Sequence, residues 1–369
     1  MMITAANNET KPKKPFATAN LNLALRAIKD NHGLWILAYC FTIKMYLLTF
    51  LWFCAVMELV IFSPSWVYNN CNNDNNTDDD DVCHLSTRGK FIALGMLLSL
   101  FWTMLVVKNV LHTTIAGVIG TWWFDPDEAT SVASRSDGRC RCGGGTCCGC
   151  SRAIYNSLHR SIVYSFGSIC FGSLLVGILQ VVRFIVRCGR RQHNEQRRLR
   201  QQRTIEATDF LFCLVQYLVE SLERLLEYIN TWAYVYVGLY GYDYWTAGKE
   251  VSNLFKARGW SVIINDQLIA RTLSMMSMLI TLITGLVGVI FGLVFLRSYS
   301  AWVLPAFFLG IVLGGSSCSI LFGVVTSAVN TVVVCFAESP NSLQTNHGSE
   351  LFDEIIVAWR KAYPQDCGF

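Results

Sequence analysis

Five cysteines crowd one glycine-rich loop: Cys140, Cys142, Cys147, Cys148 and Cys150. A Cys-x-Cys pair followed by Cys-Cys-x-Cys raises three chemistries. The thiols are either unreactive, or S-acylated beside a membrane, or metal ligands. Cys147 and Cys150 supply one half of a zinc knuckle, but no second Cys-x₂-Cys pair accompanies them, so no metal is expected. Cys71 and Cys83 flank an acidic loop and are candidates for a disulfide across it. Between them Asn75-Asn76-Thr77 is a glycosylation sequon with Asn75 as acceptor. Asp74 and Asp78 to Asp81 lack the ordered spacing of a calcium loop and read as a solvated surface.

Elsewhere the chemistry is sparse. The chain has no His-x-x-x-His pair, no Gly-x-Ser-x-Gly elbow and no phosphate loop. An enzyme is not expected, and no cofactor is implied. Glu220, Glu223, Arg224 and Glu227 recur at helical spacing and make one polar stripe, either a solvated face or the lining of a cavity. Lys108 and His112 are four residues apart, and so share a helix face.

The elements that carry these residues are membrane helices. Of 369 residues, 53% are hydrophobic and 15% are charged, against about 25% charged in soluble domains. Residues 273–297 and 301–334 each exceed the ~20 apolar residues needed to cross a bilayer, and Arg297 is their only charge. Residues 34–62 and 91–120 are two further spans. Lys44 and Glu58 interrupt the first of them, and a charge in hydrocarbon needs a partner or water. Trp122-Trp123-Phe124 ends the second and reads as an interfacial aromatic belt. Leu21 to Asp30 has helical apolar spacing and reads as an interfacial helix. The +4 net charge is too small to suggest nucleic acid as a partner.

Two segments stay open. Residues 161–187 are apolar, and residues 205–242 are amphipathic. Between them, residues 187–203 hold seven arginines and one acidic residue, which places that loop in the cytosol. The loop at 125–157 is also basic, so either 161–187 is re-entrant and 205–242 does not span, or both span and one loop breaks the rule. The C-terminus is cytosolic in both versions. The expected fold is an all-α polytopic helical bundle with four firm spans and two uncertain or re-entrant ones. Its parts are a cytosolic tail with an interfacial helix at 1–33, a membrane domain at 34–338 and a cytosolic tail at 339–369. The loop at 63–90 is expected to be extracellular.

Three ordered motifs carry a resemblance. The run Gly167, Ser168, Phe171, Gly172 and Ser173, leading to Gln180 and Arg183, resembles a Gly-Ser-x-x-Phe-Gly segment of the choline transporter-like family. Asn230, Ala233 and Tyr234, then Gly241 and Tyr242, are similar to its Asn-x-x-Ala-Tyr segment. The run Thr331 to Glu338, with Cys335 and Phe336, resembles its terminal signature. The resemblance covers about residues 160–345 and implies the C-terminal half of a family member. Asn330 stands where many relatives carry Asp.

What the resemblance implies is transport of choline or a related small organic cation, by a multi-pass protein of the plasma membrane rather than an organelle. A quaternary ammonium donates no hydrogen bond, so its recognition calls on aromatic faces and a carboxylate. Trp232, Tyr234 and Tyr242 are the aromatic candidates, with Tyr236 and Tyr240 nearby and Glu220 or Glu227 as counter-charge. Gly167, Ser168, Gly172 and Ser173 would form a small-residue surface for close helix packing, and Gly310, Gly314 and Gly315 another. The alternative function is a truncated, non-transporting paralogue that scaffolds or regulates a full-length relative. Expected partners are the lipid bilayer, the organic cation, and a second copy or a full-length relative.

Overall fold

The computed structural model describes residues 13–62, 87–127, 151–199, 207–257, 268–295 and 303–362. Among these the chain is all-α, with no strand. In chain order the helices are α1 (Lys13–Asp30), α2 (Gly33–Phe62), α3 (Thr87–Phe124), α4 (Arg152–His159), α5 (Phe166–Leu199) and α6 (Ala207–Tyr240). There follow α7 (Tyr244–Ala257), α8 (Leu268–Phe295), α9 (Val303–Glu338), α10 (Pro340–His347) and α11 (Ser349–Ala362). A π-helical turn, Arg160–Tyr164, joins α4 to α5.

Five of these helices are long and apolar enough to cross a membrane: Gly33–Leu59, Arg88–Phe124, Phe166–Arg191, Ile269–Val294 and Ala306–Glu338. Four are the firm spans of the sequence, and the fifth is the segment left open at 161–187. The other open segment, 205–242, is an unbroken helix of 34 residues, yet it is not among the five. Asp209, Glu220, Glu223, Arg224 and Glu227 interrupt its hydropathy. Residues 166–187 and 207–240 each lie in one continuous helix.

Several loop boundaries are corrected. Residues 187–199 are not a loop, because α5 runs on to Leu199. Arg, Gln and Leu are good helix formers, and local propensity continues the helix where hydropathy stops. Helix α3 begins at Thr87, inside the expected loop 63–90, and α4 begins at Arg152, inside 125–157. Ser151 accepts a hydrogen bond from the Ile154 N–H and so caps α4. Cys71, Asn75 and Cys83 lie outside the described residues, as do Cys140 to Cys150.

The chain divides into two compact units, and the divisions fall inside α2, α3, α5 and α6. The first comprises Met1–Thr42, Lys108–Ser168 and Thr231–Phe369. Its largest contact is the antiparallel pair α8 and α9. A Cβ on Gly310 would meet the Thr284 carbonyl oxygen at 2.5 Å and the Gly285 Cα at 3.2 Å, and one on Gly315 would meet the Thr281 side chain at 3.2 Å. Gly288 lies against the Ala306 carbonyl, and Gly314 against the Thr284 hydroxyl. Such close backbone approach suits a membrane, where association relies on packing rather than hydrophobic drive.

Helices α1 and α10 each pack on α11, and all three meet α9. Phe16, Leu23, Ala24, Ala27 and Ile28 bury one side of α1. Trp359 of α11 meets Phe16 edge-on at 5.2 Å and Phe336 at 5.8 Å. Residues 340–362 of the C-terminal tail are therefore mostly folded helix. Trp122 and Trp123 do not form an interfacial belt: both are buried, with only Phe124 exposed. Their indoles donate to Asp30 Oδ2 at 3.0 Å and to the Ser339 carbonyl at 3.2 Å. A buried indole N–H needs a partner, and these partners come from distant segments that sequence spacing cannot reveal.

The second unit comprises Ile43–Val107 and Ile169–Asn230. The Trp52 indole donates to the Met96 carbonyl and the Trp102 indole to the Cys170 carbonyl, both at 3.1 Å. Helices α5 and α6 run antiparallel within it, as their polar contacts show. Arg183 Nη1 pairs with Glu223 Oε2 at 2.5 Å, Arg187 Nη2 with Glu220 Oε1 at 3.4 Å, and Arg190 Nη1 donates to Gln216 Oε1 at 2.7 Å. The Asn230 amide reaches the Gly172 carbonyl at 3.5 Å.

Candidate functional site

The aromatic end of α6 lies in the first unit. Residues 232 to 237, Trp-Ala-Tyr-Val-Tyr-Val, are all buried, so this part of the helix is packed on every side. The helix stops at Gly241, whose φ of +74° is a conformation glycine adopts without strain, and whose N–H bonds the Val237 carbonyl at 2.9 Å. Arg160, on the π-helical turn, donates to the Gly238 carbonyl and to the Leu239 carbonyl at 3.4 Å. A cation at the C-terminal carbonyls satisfies them and complements the helix dipole. Asp243 then starts α7 by accepting the Thr246 N–H at 3.1 Å, and hydrogen bonds from the Thr246 side chain and then from that N–H hold its carboxyl below the usual range. Helix α3 fits closely here: a Cβ on Gly238 would meet the Thr113 carbonyl oxygen at 2.5 Å.

This local order brings four polar groups together. The buried Tyr236 hydroxyl donates to Glu338 Oε2 at 2.7 Å. The Tyr236 and Tyr240 rings are 5.2 Å apart, and Tyr240 stacks on Tyr242 at 5.6 Å and 27°. Tyr240 and Tyr242 are half-exposed, and Glu338 is exposed at the end of α9. The result is an accessible carboxylate, oriented by a buried phenol and flanked by open aromatic faces.

A second, buried cluster joins α3, α6 and α9. His112 Nε2 lies 3.0 Å from the Thr231 carbonyl, and Nδ1 lies 2.5 Å from the Ser327 hydroxyl. A carbonyl only accepts, so Nε2 carries a proton, while Nδ1 and the Ser327 hydroxyl share the second hydrogen bond. Tyr234 meets the same imidazole edge-on at 6.4 Å. The cluster ties three helices together, and pairing these polar groups avoids the cost of leaving them unsatisfied inside the protein. Its only trace in the sequence is a histidine inside an apolar run.

The aromatic candidates separate in the structure. Trp232 is buried edge-on against Phe255 at 5.1 Å, and Tyr234 packs against Tyr244 at 5.8 Å. Tyr242 alone of the three stands at the open cluster. Glu220 belongs to the second unit, where Arg183, Arg187 and Arg224 surround it. The side chain of Glu227 lies outside the described residues. Spacing missed the carboxylate that does join the aromatic cluster, Glu338, because 98 residues of sequence separate it from Tyr240.

Of the motif residues, Ser173, Ala233 and Cys335 are fully buried, Asn230 nearly so, and Phe171 is half-exposed. Gly172 is buried and accepts the Asn230 amide, whereas a Cβ on Gly167 would meet nothing within 4 Å. Close helix approach is therefore found at the α8–α9 seam and where α3 meets Gly238, and not at Gly167. Among the described residues no three His, Cys, Asp or Glu side chains converge to hold a metal ion.

Comparison with known proteins agrees with this architecture. A family described as plasma-membrane choline transporter matches residues 11–341. Protein PNS1 of Gibberella zeae is 29% identical over 294 residues, covering 77% of this chain and 49% of the relative. Protein PNS1 of Mycosarcoma maydis is 30% identical over 282 residues, 74% of this chain and 46% of the relative. A CTL-like protein of Dictyostelium discoideum is 24% identical over 253 residues, 68% of this chain and 40% of the relative. The chain thus spans about half the length of the curated relatives it matches. With membrane helices, ordered motifs and a match over most of its length, this multi-pass membrane protein belongs to the plasma-membrane choline transporter family.

Proposed function

We propose that the chain carries choline or a closely related small organic cation across a membrane, the plasma membrane being the expected one. The recognition surface in this reading is Glu338 with Tyr236, Tyr240 and Tyr242. The observation that carries it is the Tyr236–Glu338 hydrogen bond beside the stacked Tyr240 and Tyr242 rings. A quaternary ammonium is bound by charge and by π faces, and this arrangement offers both. The phenol occupies one carboxylate oxygen and fixes its orientation, leaving the other for the cation. Glu338 ends a candidate span, which supports a surface acting at a membrane boundary, where the cation would enter or leave.

The test is uptake of labelled choline into proteoliposomes holding only the purified chain, with empty liposomes as control. Saturable uptake is expected, with KM raised about two- to fivefold by Tyr242→Ala, since one exposed ring contributes about 0.5–1 kcal/mol. Glu338→Gln should raise KM further than the loss of one ring. Uptake that saturates equally in all variants would move the site elsewhere. No uptake by folded, oriented protein would favour the scaffold or partner-dependent reading.

A further inference from the structure

We propose that Trp123, Asn346 and His347 are positioning residues for Glu338: they clamp the chain that follows it onto the end of α3, and so set the affinity of the surface described above for its cation. The inference rests on that reading of Glu338. All of these residues belong to the first unit. Glu338 is the last residue of α9 and is exposed. Among the described residues its carboxylate has one hydrogen-bond partner, the Tyr236 hydroxyl at 2.7 Å. A carboxylate held at one oxygen moves with its own backbone. Whatever fixes residues 338 and 339 therefore fixes its place beside the Tyr240 and Tyr242 rings.

Local structure alone does little to fix them. The Ser339 N–H closes α9 on the Cys335 carbonyl at 2.9 Å. Ser339 itself is extended, at φ −147° and ψ 86°, as residues before proline tend to be. Pro340 opens α10 and has no N–H to give to α9. The hold comes from α3. The buried Trp123 indole donates to the Ser339 carbonyl at 3.2 Å. In return α10 caps α3: Asn346 Nδ2 donates to the Trp123 and Phe124 carbonyls at 3.0 and 3.1 Å, and His347 Nε2 to the Trp122 carbonyl at 2.8 Å. These are consecutive carbonyls at a helix C-terminus, where the helix supplies no further donors. The Trp122 ring stacks on His347 at 3.9 Å, and Leu343 between the two tied ends is fully buried. Residues 339–347 are thus fastened to α3 at both ends, and Glu338 stands immediately before the first fastening.

The experiment measures labelled choline uptake by the full chain in proteoliposomes, at equal amounts of folded protein, for Asn346→Ala and Trp123→Phe, each with and without Glu338→Gln. Asn346 is only half-buried, so its truncation spares the core if Trp123→Phe fails to fold. Each single change should raise KM about two- to fivefold, the factor one net hydrogen bond represents, and leave kcat nearly unchanged. With Glu338→Gln in place neither should raise KM further, because the effect passes through that carboxylate. A structural role alone would lower Tm without moving KM. KM unchanged in both variants, or raised equally in the Glu338→Gln background, would overturn the proposal. No uptake by the wild type, or Glu338→Gln with KM unchanged, would refute the reading on which the proposal rests, and the proposal with it. Backbone hydrogen exchange of the same proteins separates the two failures, since it needs no transport. Protection of residues 339–343 should fall in Asn346→Ala and Trp123→Phe, and unchanged protection would overturn the clamp itself.

Discussion

Gly310→Ala should weaken the α8–α9 seam, whereas Gly323→Ala on the same helix should not. The Cβ added at Gly310 would lie 2.5 Å from the Thr284 carbonyl oxygen and 3.2 Å from both the Thr284 carbonyl carbon and the Gly285 Cα. Ordinary contact begins at 3.4 Å, so the backbones must part by up to about 0.9 Å (3.4 minus 2.5). The obstacles are backbone atoms, which cannot rotate away as a side chain could. A gap of 0.5–1 Å forfeits about a quarter to a half of each dispersion contact along the seam, and overpacking of this kind costs about 1–3 kcal/mol. A Cβ on Gly323 would meet nothing within 4 Å. There the better helix propensity of Ala should be neutral or stabilise by up to about 1 kcal/mol. The assay is thermal unfolding of both variants in one detergent, with a cysteine pair across α8 and α9 whose crosslinking yield reports the separation. Gly310→Ala as stable as Gly323→Ala, with unchanged crosslinking, would refute the reasoning.

Three further outcomes follow from named contacts. His347 stacks on Trp122 at 3.9 Å and donates from Nε2 to the Trp122 carbonyl at 2.8 Å, and burial lowers its pKa despite Asp30 nearby, with Arg26 adding to the shift. The unfolded chain, with a pKa of about 6.5, then takes up the proton first. The stabilisation is complete above about pH 6.5 and declines as pH falls below it; His347→Gln should flatten that part of the pH–Tm curve. Asn346 donates to the Trp123 and Phe124 carbonyls at 3.0 and 3.1 Å, so Asn346→Ala should cost about 1–2 kcal/mol and speed proteolysis of α10 and α11. In the second unit, Arg183→Gln, Glu223→Gln and the double variant form a thermodynamic cycle. Glu223 is nearly buried but the Arg183 side chain is 33% exposed, so solvent screening should reduce the coupling to about 1–2 kcal/mol. A coupling near zero would show that water already satisfies the arginine.

Hydropathy alone determined that this chain spans a membrane, and it located four spans to within a few residues, because in a bilayer the solvent acts on every residue of a helix together. The Gly310–Gly315 cluster was legible as a close-packing surface, but the same reading of Gly167 found no neighbour within 4 Å of its Cβ position, because a small residue permits close approach without supplying the helix that approaches. Where local propensity disagrees with hydropathy the sequence misled, as at 187–199, where arginines that suggest a loop simply extend α5. Tertiary structure decided what depends on distant partners. Trp122 and Trp123 look like an interfacial belt until Asp30 and Ser339 supply acceptors for their indoles. Glu220 looks like a free counter-charge until α5 brings arginines to it. Glu338 became the carboxylate of the aromatic cluster only because α9 ends beside α6. Charge pairing and ring stacking are contacts in space, and the spacing of residues along one helix carries no information about which other helix will meet it.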